Sequence, residues 1–244
     1  MKTIATIEAR MNSSRLPGKV MLPILGKPAL QLLVERLQRA RTVDGIVIAT
    51  TTHPADAVIE RLAKKLGVGC YRGSEEDVLE RVLLSAQSAQ ADVIVEITGD
   101  CPLLDPEMVD AVVKCHRDEK HDYVSNALKR PLPLGMVVQA FATSVLAEVA
   151  SLTQDPADRE HVSLYIYEHP ERYKIHALVM EEAEKHSDIR VTLDTADDYA
   201  LISAIFEELY LQNPAFSFAD IAALCRRRPE LLEINKHIAQ KKAR

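Results

Sequence analysis

The first half of the chain alternates short apolar segments with longer segments whose apolar residues recur at helical spacing. Strands are predicted at the apolar segments, over residues 3–7, 46–51, 68–71 and 92–98. Helices are predicted between and after them, over residues 29–41, 54–66, from 74 onward and over 106–118. Strands that alternate with helices of roughly ten to fifteen residues form βαβ units with right-handed crossovers. The pattern therefore predicts an α/β fold built on a mostly parallel sheet.

The alternation ends after residue 120. Strands are predicted over residues 123–126, 135–141 and 173–180, and helices over 144–152 and 157–168. We interpret residues 121–185 as a small insertion with antiparallel strand pairing that is suited to dimerisation. Further helices are predicted over residues 195–210 and 218–227, the second within a helical C-terminal tail over 212–244. Because no repeat or long linker separates these segments, the whole chain, 1–244, is predicted to form one domain.

The charge balance and the cysteines limit the classes of function. The 244 residues carry 30 basic and 36 acidic side chains, so the chain has no broad basic excess for binding nucleic-acid backbones. No stretch approaches the about 18 consecutive apolar residues that suggest a membrane-spanning helix. The 4 cysteines are scattered without metal-ligand spacing, which fits a reducing compartment. We therefore expect a cytoplasmic protein whose partners are neither nucleic acids nor membranes.

A cationic loop follows the first predicted strand, at the edge of a parallel sheet where ligands bind. Residues 8–19 contain the cations Arg10, Arg15 and Lys19, together with Ser14 and Gly18. Arginine offers a planar fork to phosphate oxygens, lysine a point charge and serine a small donor. In an acidic chain this loop predicts a polyphosphate site, and the alternative is a solvated turn. It matches neither a P-loop nor a dinucleotide-binding fingerprint.

Two aspartates are candidate magnesium ligands. Asp100 follows the predicted strand 92–98 and so projects from the same sheet edge as the cationic loop. Mg²⁺ is usually held by one or two carboxylates together with phosphate oxygens, and the alternative for Asp100 is a turn aspartate bonded to local amides. Thr195 and Asp198 have the spacing of a capping box at a helix start. Asp194, just before them, has no such local role and is the candidate second ligand.

Two weaker patterns complete the candidate site. Arg72 and Gly73 follow a short strand, where the glycine would let the backbone approach a nucleobase; alternatively, Arg72 is a surface charge. Arg159 and His161 lie at a predicted helix start and could face an anionic acceptor, although an exposed helix end has the same composition. The sequence shows no cysteine–histidine–Asx arrangement, so a thiol nucleophile is not expected.

Several motifs taken together resemble the cytidylyltransferase family, which includes the 3-deoxy-manno-octulosonate and acylneuraminate cytidylyltransferases. They are A-R-M-N-S-S-R-L-P-G-K over residues 9–19, G-K-P over 26–28, G-D-C-P-L over 99–103 and D-T at 194–195. Two more, R-G-S-E-E-D-V-L-E-R over 72–81 and R-E-H-V over 159–162, are typical of the spore coat polysaccharide biosynthesis protein F group. The resemblance covers residues 1 to about 210.

The resemblance implies a three-layer nucleotide-diphospho-sugar transferase fold, assembled as a homodimer through the inserted segment. It also implies CTP and Mg²⁺, transfer of the cytidylyl group to a small acidic sugar, and release of pyrophosphate. The residues assigned to nucleotide binding are Ala9, Arg10, Ser14, Arg15, Lys19, Arg72 and Gly73. Arg15 and Lys19, with the metal ligand Asp100, are the candidate catalytic residues, and Asp194 matches the second metal carboxylate.

One segment departs from the family pattern. Where relatives commonly read G-L-D-x-E-x-F, this chain has Val137 and Gln139 in place of the two acids. Alternate strand residues share a face, so both are expected to face the acceptor, and Gln139 is assigned to acceptor binding with Arg159 and His161. The acceptor is then expected to be less hydroxylated, or more anionic, than the usual eight-carbon sugar acid, such as a sugar phosphate or a modified acid. Two other functions stay open: a glycosyltransferase that uses a nucleotide sugar, and a catalytically silent nucleotide-binding subunit.

Overall fold

The chain folds around a central β-sheet with helices on both faces. The computed structural model describes residues 1–128 and 132–240. In chain order, the strands are β1 (Thr3–Glu8), β2 (Pro23–Ile24), β3 (Lys27–Pro28), β4 (Gly45–Thr51), β5 (Gly69–Gly73), β6 (Val93–Thr98), β7 (Tyr123–Ser125), β8 (Gln139–Ala142) and β9 (Ile175–Ala177). β2 and β3 form a separate antiparallel pair, and the other strands form the large sheet.

The large sheet has the strand order β5-β4-β1-β6-β8-β7-β9. β5, β4, β1 and β6 pair in parallel, whereas β8 runs antiparallel to both of its neighbours and β9 runs parallel to β7. The α/β class and the mostly parallel sheet are thus confirmed. The segment interpreted as an insertion, 121–185, contributes β7, β8 and β9 to this same sheet, so its strands extend the core and do not form a separate unit.

The helices connect and cover these strands. They are α1 (Ala29–Leu37), α2 (Ala57–Leu66), α3 (Val78–Ser88), α4 (Pro106–Glu119), α5 (Thr143–Leu152), α6 (Pro156–Glu160), α7 (Leu164–Glu168), α8 (Glu181–Glu184), α9 (Ala196–Leu209), α10 (Phe218–Arg227) and α11 (Glu230–Glu233). The predicted helix over 157–168 is two short helices, α6 and α7. Val162 between them has a φ of 33°, outside the α-helical region, so one continuous helix cannot form.

The segment before β8 is irregular, so the predicted strand over 135–141 is wrong in its first half. Asn126 occupies the backbone groups that a strand would use: its Nδ2 donates to the Met136 carbonyl at 3.0 Å, and its Oδ1 accepts from the Val138 amide at 2.9 Å. Gly135 has a φ of +101°, and a Cβ there would lie 2.6 Å from a carbonyl oxygen of a neighbouring segment. The side-chain amide thus replaces strand pairing at this point.

Two apolar layers sandwich the sheet, which confirms the three-layer arrangement. On one face, Ile4 and Ile94 pack with α3 and α5. On the other face, Ile7 and Val95 pack with α1, α4 and α9. Successive strand residues point to opposite faces, so β1 and β6 supply side chains to both layers. The carboxyl ends of these two strands are therefore held in a rigid position between the layers.

The helix starts show how local sequence sets the element boundaries. α9 begins with the predicted capping box, in which the Thr195 hydroxyl accepts from the Asp198 amide at 3.2 Å and the Asp198 carboxylate accepts from the Thr195 amide at 3.0 Å. α3 begins later than predicted, because its N-cap is Asp77, which accepts from the Glu80 amide at 2.9 Å. Ser74, predicted to start this helix, instead accepts from the Asp77 amide at 3.0 Å.

The C-terminal segment predicted as a helical tail packs onto the core over its described residues. Phe218 and Leu231 are buried. Asn235 is also buried, and its Nδ2 donates to the Arg190 carbonyl at 3.0 Å and to the Asp198 carboxylate at 2.8 Å. Residues 241–244 of this tail lie outside the described residues. Across 1–128 and 132–240, no helix combines the length and the apolar character needed to cross a membrane.

Candidate functional site

A cleft of about 620 Å³ opens at the carboxyl ends of β1 and β6. Most of the residues predicted for the site line it: Ala9, Arg10, Ser14, Arg15, Lys19, Asp100, His161 and Asp194. The cationic loop follows β1 and the Asp100 segment follows β6, and these strands are neighbours in the sheet. The structure thus brings the two motifs together, as expected for parallel strands that end at one edge.

Backbone hydrogen bonds hold the cationic loop in a closed shape. The Met11 carbonyl accepts from the Gly18 amide at 2.8 Å and from the Ser13 amide at 3.0 Å. Gly18 has a φ of 72°, a left-handed conformation that favours glycine. The Asp56 carboxylate anchors the loop by accepting from the Met11 amide at 2.7 Å. This closure places Lys19 directly after the turn, with its side chain in the cleft.

Lys19 joins the two candidate metal ligands. Its Nζ donates to Oδ2 of Asp100 and to Oδ1 of Asp194, both at 2.7 Å. The two aspartates come from distant parts of the chain, and the Leu193 amide, which donates to the Asp100 carbonyl at 2.7 Å, aligns the two segments. The predicted convergence of Asp100 and Asp194 is therefore present, and a cation already lies between the two carboxylates.

Asp194 is the centre of a larger group of charges. Its second oxygen, Oδ2, accepts from Arg15 at 2.9 Å and from Arg190 at 3.0 Å. Arg190 also donates through Nε to Asp198 at 2.8 Å, which ties this group to the capping box of α9. The side chains of Asp194 and Arg190 are each 7% exposed. Asp194 thus does have a structural role, which its position outside the capping box did not reveal.

The charge group shifts the pKa values of its members. Burial acts to lower the pKa of Lys19, but the Asp100 charge and the hydrogen bonds to both aspartates outweigh it, so the pKa lies above its ordinary value. Burial acts to raise the pKa of Asp100, but the Lys19 ammonium beside it holds the pKa below the ordinary value. Both groups are therefore charged at neutral pH, and the cleft carries fixed positive and negative charge.

The same pair of carboxylates fits a hard divalent cation. Mg²⁺ prefers oxygen ligands and typically takes one or two carboxylates from the protein. Asp100 and Asp194 offer such oxygens at a common point, which is shown by the single ammonium that both contact. Arg15 and Lys19 contact these carboxylates and would become available for phosphate oxygens when a cation replaces them there. The donor set and the charges are therefore compatible with a magnesium-bound polyphosphate.

Arg72 and Gly73 lie outside the cleft. Arg72 donates through Nε to the Thr51 carbonyl at 2.9 Å and through Nη1 to the Glu60 carboxylate at 3.0 Å. These bonds tie the end of β5 to β4 and α2. A Cβ on Gly73 would lie 2.9 Å from the Tyr71 ring, so close packing accounts for this glycine. In this structure the pair stabilises the sheet edge, and its assignment to nucleotide binding gains no support.

Of the residues expected to bind the acceptor, His161 and Arg159 do not lie together. His161 lines the cleft, but Arg159 points elsewhere: it forms an ion pair with Asp77 at 3.2 Å and donates to the Thr153 carbonyl at 3.1 Å. Arg159 therefore ties α6 to the start of α3. Its assignment to acceptor binding, like that of Arg72 to nucleotide binding, rested on sequence position without information on side-chain direction.

Gln139 and Val137 do not share a strand face as expected, because β8 begins at Gln139. The Gln139 side-chain oxygen accepts from the Ser163 hydroxyl at 2.6 Å and from the Tyr123 hydroxyl. Gln139 lies opposite Glu96 in the pairing of β8 with β6 and is not among the residues that line the cleft. The expectation of a shared strand face is therefore wrong, and the expectations that both positions face the acceptor and that the acceptor is less hydroxylated gain no support from the structure.

A pair of glutamates beside the cleft was missed by the sequence analysis. Glu8, at the end of β1, lines the cleft, and its carboxyl group lies near that of buried Glu96 on the neighbouring strand β6. Burial raises the pKa of Glu8 to about 7, against the opposing charge of Arg81. Burial and the neighbouring Glu8 raise the pKa of Glu96 well above its ordinary value. The sequence feature that could have indicated this pair is Glu96, an acidic residue inside the apolar run 93–97.

Comparison with known proteins gives three consistent findings. A family model described as cytidylyltransferase matches residues 4–238. Spore coat polysaccharide biosynthesis protein SpsF of Bacillus subtilis is 33% identical over 231 residues, covering 92% of this chain and 94% of that protein. The 3-deoxy-manno-octulosonate cytidylyltransferase of Pelobacter propionicus is 29% identical, covering 88% and 94%.

A solved structure shows the same fold. The structure of a cytidylyltransferase from Leptospira borgpetersenii superposes with a TM-score of 0.89 at 31% sequence identity. The match covers 99% of this chain and 100% of that one. The sheet and the surrounding helices are therefore those of a known architecture along the whole chain.

Proposed function

Because the chain belongs to the cytidylyltransferase family, we propose that it uses Mg²⁺ to transfer the cytidylyl group of CTP to an acidic sugar in surface polysaccharide or glycoconjugate synthesis. The observation that supports this most is the contact of Lys19 with both Asp100 and Asp194, beside Arg15. It combines phosphate-binding cations with a pair of metal-type carboxylates in one cleft. We therefore prefer a nucleotidyltransferase to the two alternatives, a glycosyltransferase and a catalytically silent subunit.

The reaction needs positioning and charge neutralisation more than covalent chemistry from the protein. An acceptor oxygen forms a bond to the α-phosphorus of CTP while the bond to the pyrophosphate oxygen breaks; pyrophosphate leaves, and the proton of an acceptor hydroxyl passes to solvent. Arg15 and Lys19 would hold the β- and γ-phosphates and stabilise the charge that grows on the leaving group. Arg10 and Ser14, which line the same cleft, would complete the triphosphate contacts.

Asp100 and Asp194 would hold the Mg²⁺. When bound, the ion supplies Lewis-acid stabilisation of the phosphate charge. Lys19 contacts both carboxylates in the structure, so it would turn toward the phosphates as the carboxylates take up the ion. Arg190 keeps its contacts with Asp194 and Asp198 and so maintains the position of Asp194. Arg190 is therefore a positioning residue for the proposed site.

The acceptor is proposed from the charges of the cleft and from the names of the relatives. His161 lines the cleft in addition to the loop cations Arg10, Arg15 and Lys19, whereas Arg81, which also lines it, donates to the carbonyls of Ser74 and Glu75. The guanidinium groups of the loop favour carboxylate or phosphate ligands. One relative is named for 3-deoxy-manno-octulosonate and another for spore coat polysaccharide synthesis. These observations support an anionic sugar acceptor, and a homodimer is proposed on the family resemblance alone.

Lys19→Ala should lower the turnover of CTP at least tenfold and weaken CTP binding, because a charge-assisted hydrogen bond contributes about 1.5–3 kcal/mol. The measurement is pyrophosphate release with a panel of nucleoside triphosphates and sugar acids, together with CTP affinity by calorimetry. Lys27→Ala is the matched control, because Lys27 is bonded to Glu35 and Tyr210 outside the cleft. Unchanged CTP affinity in Lys19→Ala would overturn the phosphate-binding assignment, and activity with other nucleotides only would overturn the choice of CTP.

Asp100→Asn should raise the Mg²⁺ concentration needed for half-maximal activity by at least tenfold, because it removes the ligand charge and keeps the side-chain size. Activity is measured against Mg²⁺ concentration, and circular dichroism verifies the fold. Asp197→Asn is the control, because Asp197 is half-exposed and contacts His237. Full wild-type activity in excess chelator would show that no divalent ion is required.

A further inference from the structure

A second group of metal-binding side chains lies where α4 ends. Cys115 and Glu119 are four residues apart on α4 and so lie on one face of the helix. His176 lies on β9. The Cys115 thiol, a Glu119 carboxylate oxygen and a His176 ring nitrogen all lie within 4.8 Å of one another. Arg117, on the same helical turn, donates to the Thr3 hydroxyl at 2.6 Å, so this group is at the amino ends of the strands, opposite the cleft.

The backbone explains why these side chains meet. Lys120 ends α4 in a left-handed conformation with a φ of 51°, which turns the chain back toward β7. β9 pairs with β7 in parallel, with His176 opposite Val124. The Asp122 carboxylate accepts from the Lys174 amide at 2.8 Å and fixes the start of β9 beside the end of α4. The three metal-binding groups are therefore placed by regular structure.

His121 supports the same group from the side. Its Nε2 lies 2.8 Å from the Glu119 carboxylate, and its ring stacks on that of His176 with the centroids 4.7 Å apart. The His121 side chain is 9% exposed, and its Nδ1 is buried with no hydrogen-bond partner among residues 1–128 and 132–240. The buried His121 imidazole thus orients Glu119 and His176. Residues that hydrogen-bond to metal ligands without contacting the metal commonly have this role.

The charges of the group favour a cation. The hydrogen bond with His121 holds the pKa of Glu119 below its ordinary value, so this carboxylate is ionised. Burial, followed by the charges of Glu119 and Asp118, raises the pKa of the Cys115 thiol. Glu119 and Asp118 thus place negative charge beside the Cys115 thiol, where a cation would be attracted.

We propose that Cys115, Glu119 and His176 bind a zinc ion, with His121 holding Glu119 in position and a water molecule as fourth ligand. Thiolate, imidazole and carboxylate together are ligands typical of Zn²⁺, whereas Mg²⁺ prefers oxygen alone. Tetrahedral Zn²⁺ with bonds of about 2.0–2.3 Å needs ligand atoms closer together than the present upper limit of 4.8 Å, which side-chain rotation can supply. As the zinc–sulfur bond forms, the Cys115 proton passes to solvent.

The ion would cross-link the edge strand β9 to the end of α4, through His176 on the strand and Glu119 on the helix. A ligand that binds only the folded state stabilises it, so Zn²⁺ at about 100 times its dissociation constant should raise the Tm by roughly 5–10 °C for a chain of this size. This role is independent of the proposed function, because the site lies at the opposite edge of the sheet from the cleft.

The test uses the full chain in excess Mg²⁺, which occupies the proposed cleft site, and titrates Zn²⁺ or Co²⁺. We expect one Zn²⁺ per chain and a thiolate-to-Co²⁺ charge-transfer band in the near ultraviolet. Cys115→Ser should abolish the band and weaken Zn²⁺ binding at least tenfold, and His176→Gln should weaken it similarly. Cys70→Ser is the matched control, because Cys70 is a half-buried cysteine on β5, and it should retain both signals.

Two results would overturn the zinc site. One is a charge-transfer band of undiminished intensity in Cys115→Ser, which would place the ion at another thiol. The other is the absence of stoichiometric metal binding to the wild-type chain in both the Co²⁺ absorption titration and the Tm measurements with Zn²⁺. Because His176→Gln leaves every cysteine intact, its effect on affinity separates ligand loss from a folding defect of Cys115→Ser.

Discussion

Asp194→Ala should lower the free energy of unfolding by about 3–5 kcal/mol, the cost of removing one partner from a buried ion pair. Asp194 accepts hydrogen bonds from Lys19, Arg15 and Arg190, and its own side chain is 7% exposed. Without it, the buried Arg190 keeps only Asp198 as its acidic partner within the described residues. Urea-induced unfolding followed by circular dichroism measures the change.

The control for this prediction is the exposed neighbour Asp197. Its side chain is 48% exposed and lies 3.1 Å from that of His237. Exposed pairs contribute about 0–1 kcal/mol, so Asp197→Ala should leave the urea midpoint almost unchanged. Equal effects of the two substitutions would show that Asp194 does not hold the charge group together. In that case Arg190 would have no positioning role in the proposed site.

The protein without bound metal should lose stability between pH 5 and pH 8 because of the Glu8–Glu96 pair. The pKa of Glu8 is raised from 4.5 to about 7 in the folded protein. A raised carboxyl pKa means that the folded state binds the proton more tightly than the unfolded state. The favourable contribution is therefore complete below pH 4.5 and is lost as the pH rises through 7. The rise in the pKa of Glu96 acts in the same direction.

The expected loss for Glu8 is about 2–3 kcal/mol, since one pKa unit corresponds to about 1.4 kcal/mol. It is measured as the difference between the wild-type chain and Glu8→Gln in urea unfolding at several pH values, with chelator present. Glu8→Gln cannot titrate, so its stability should exceed that of the wild type at pH 8 and approach it at pH 5. Parallel stability profiles would show that Glu8 does not take up a proton in this range.

The sequence predicted well those features that depend on local chemistry. The capping box at Thr195 and Asp198 formed as predicted, because both partners lie within one turn of the chain. The placement of the loop 8–19 beside Asp100 was also predicted, because parallel strands bring their carboxyl ends to one edge. The first feature follows from residue spacing, and the second from the general topology of parallel sheets.

Side-chain direction could not be predicted from spacing. Arg72 and Arg159 have the residue type and position expected of ligand-binding cations, but they donate to backbone carbonyl groups of other segments, Thr51 at the end of β4 and Thr153 after α5. Gln139 is bonded to Tyr123 on the neighbouring strand β7 and to Ser163 at the start of α7. The Glu8–Glu96 contact needs the register of β1 against β6, which no local pattern contains. These outcomes depend on tertiary packing between distant segments.

The double contact of Lys19 makes ligand binding in the cleft an exchange of counterions. Before any ligand enters, Asp100 and Asp194 neutralise the ammonium that a triphosphate requires. A triphosphate that draws Lys19 away leaves two carboxylates without this cation, and an incoming metal ion releases Lys19 for the phosphates. In the proposed reaction, nucleotide and metal thus increase each other's affinity by the same factor, as thermodynamic linkage requires. A polyanion that arrives without a metal has to break these ion pairs without replacement, so the cleft discriminates against it.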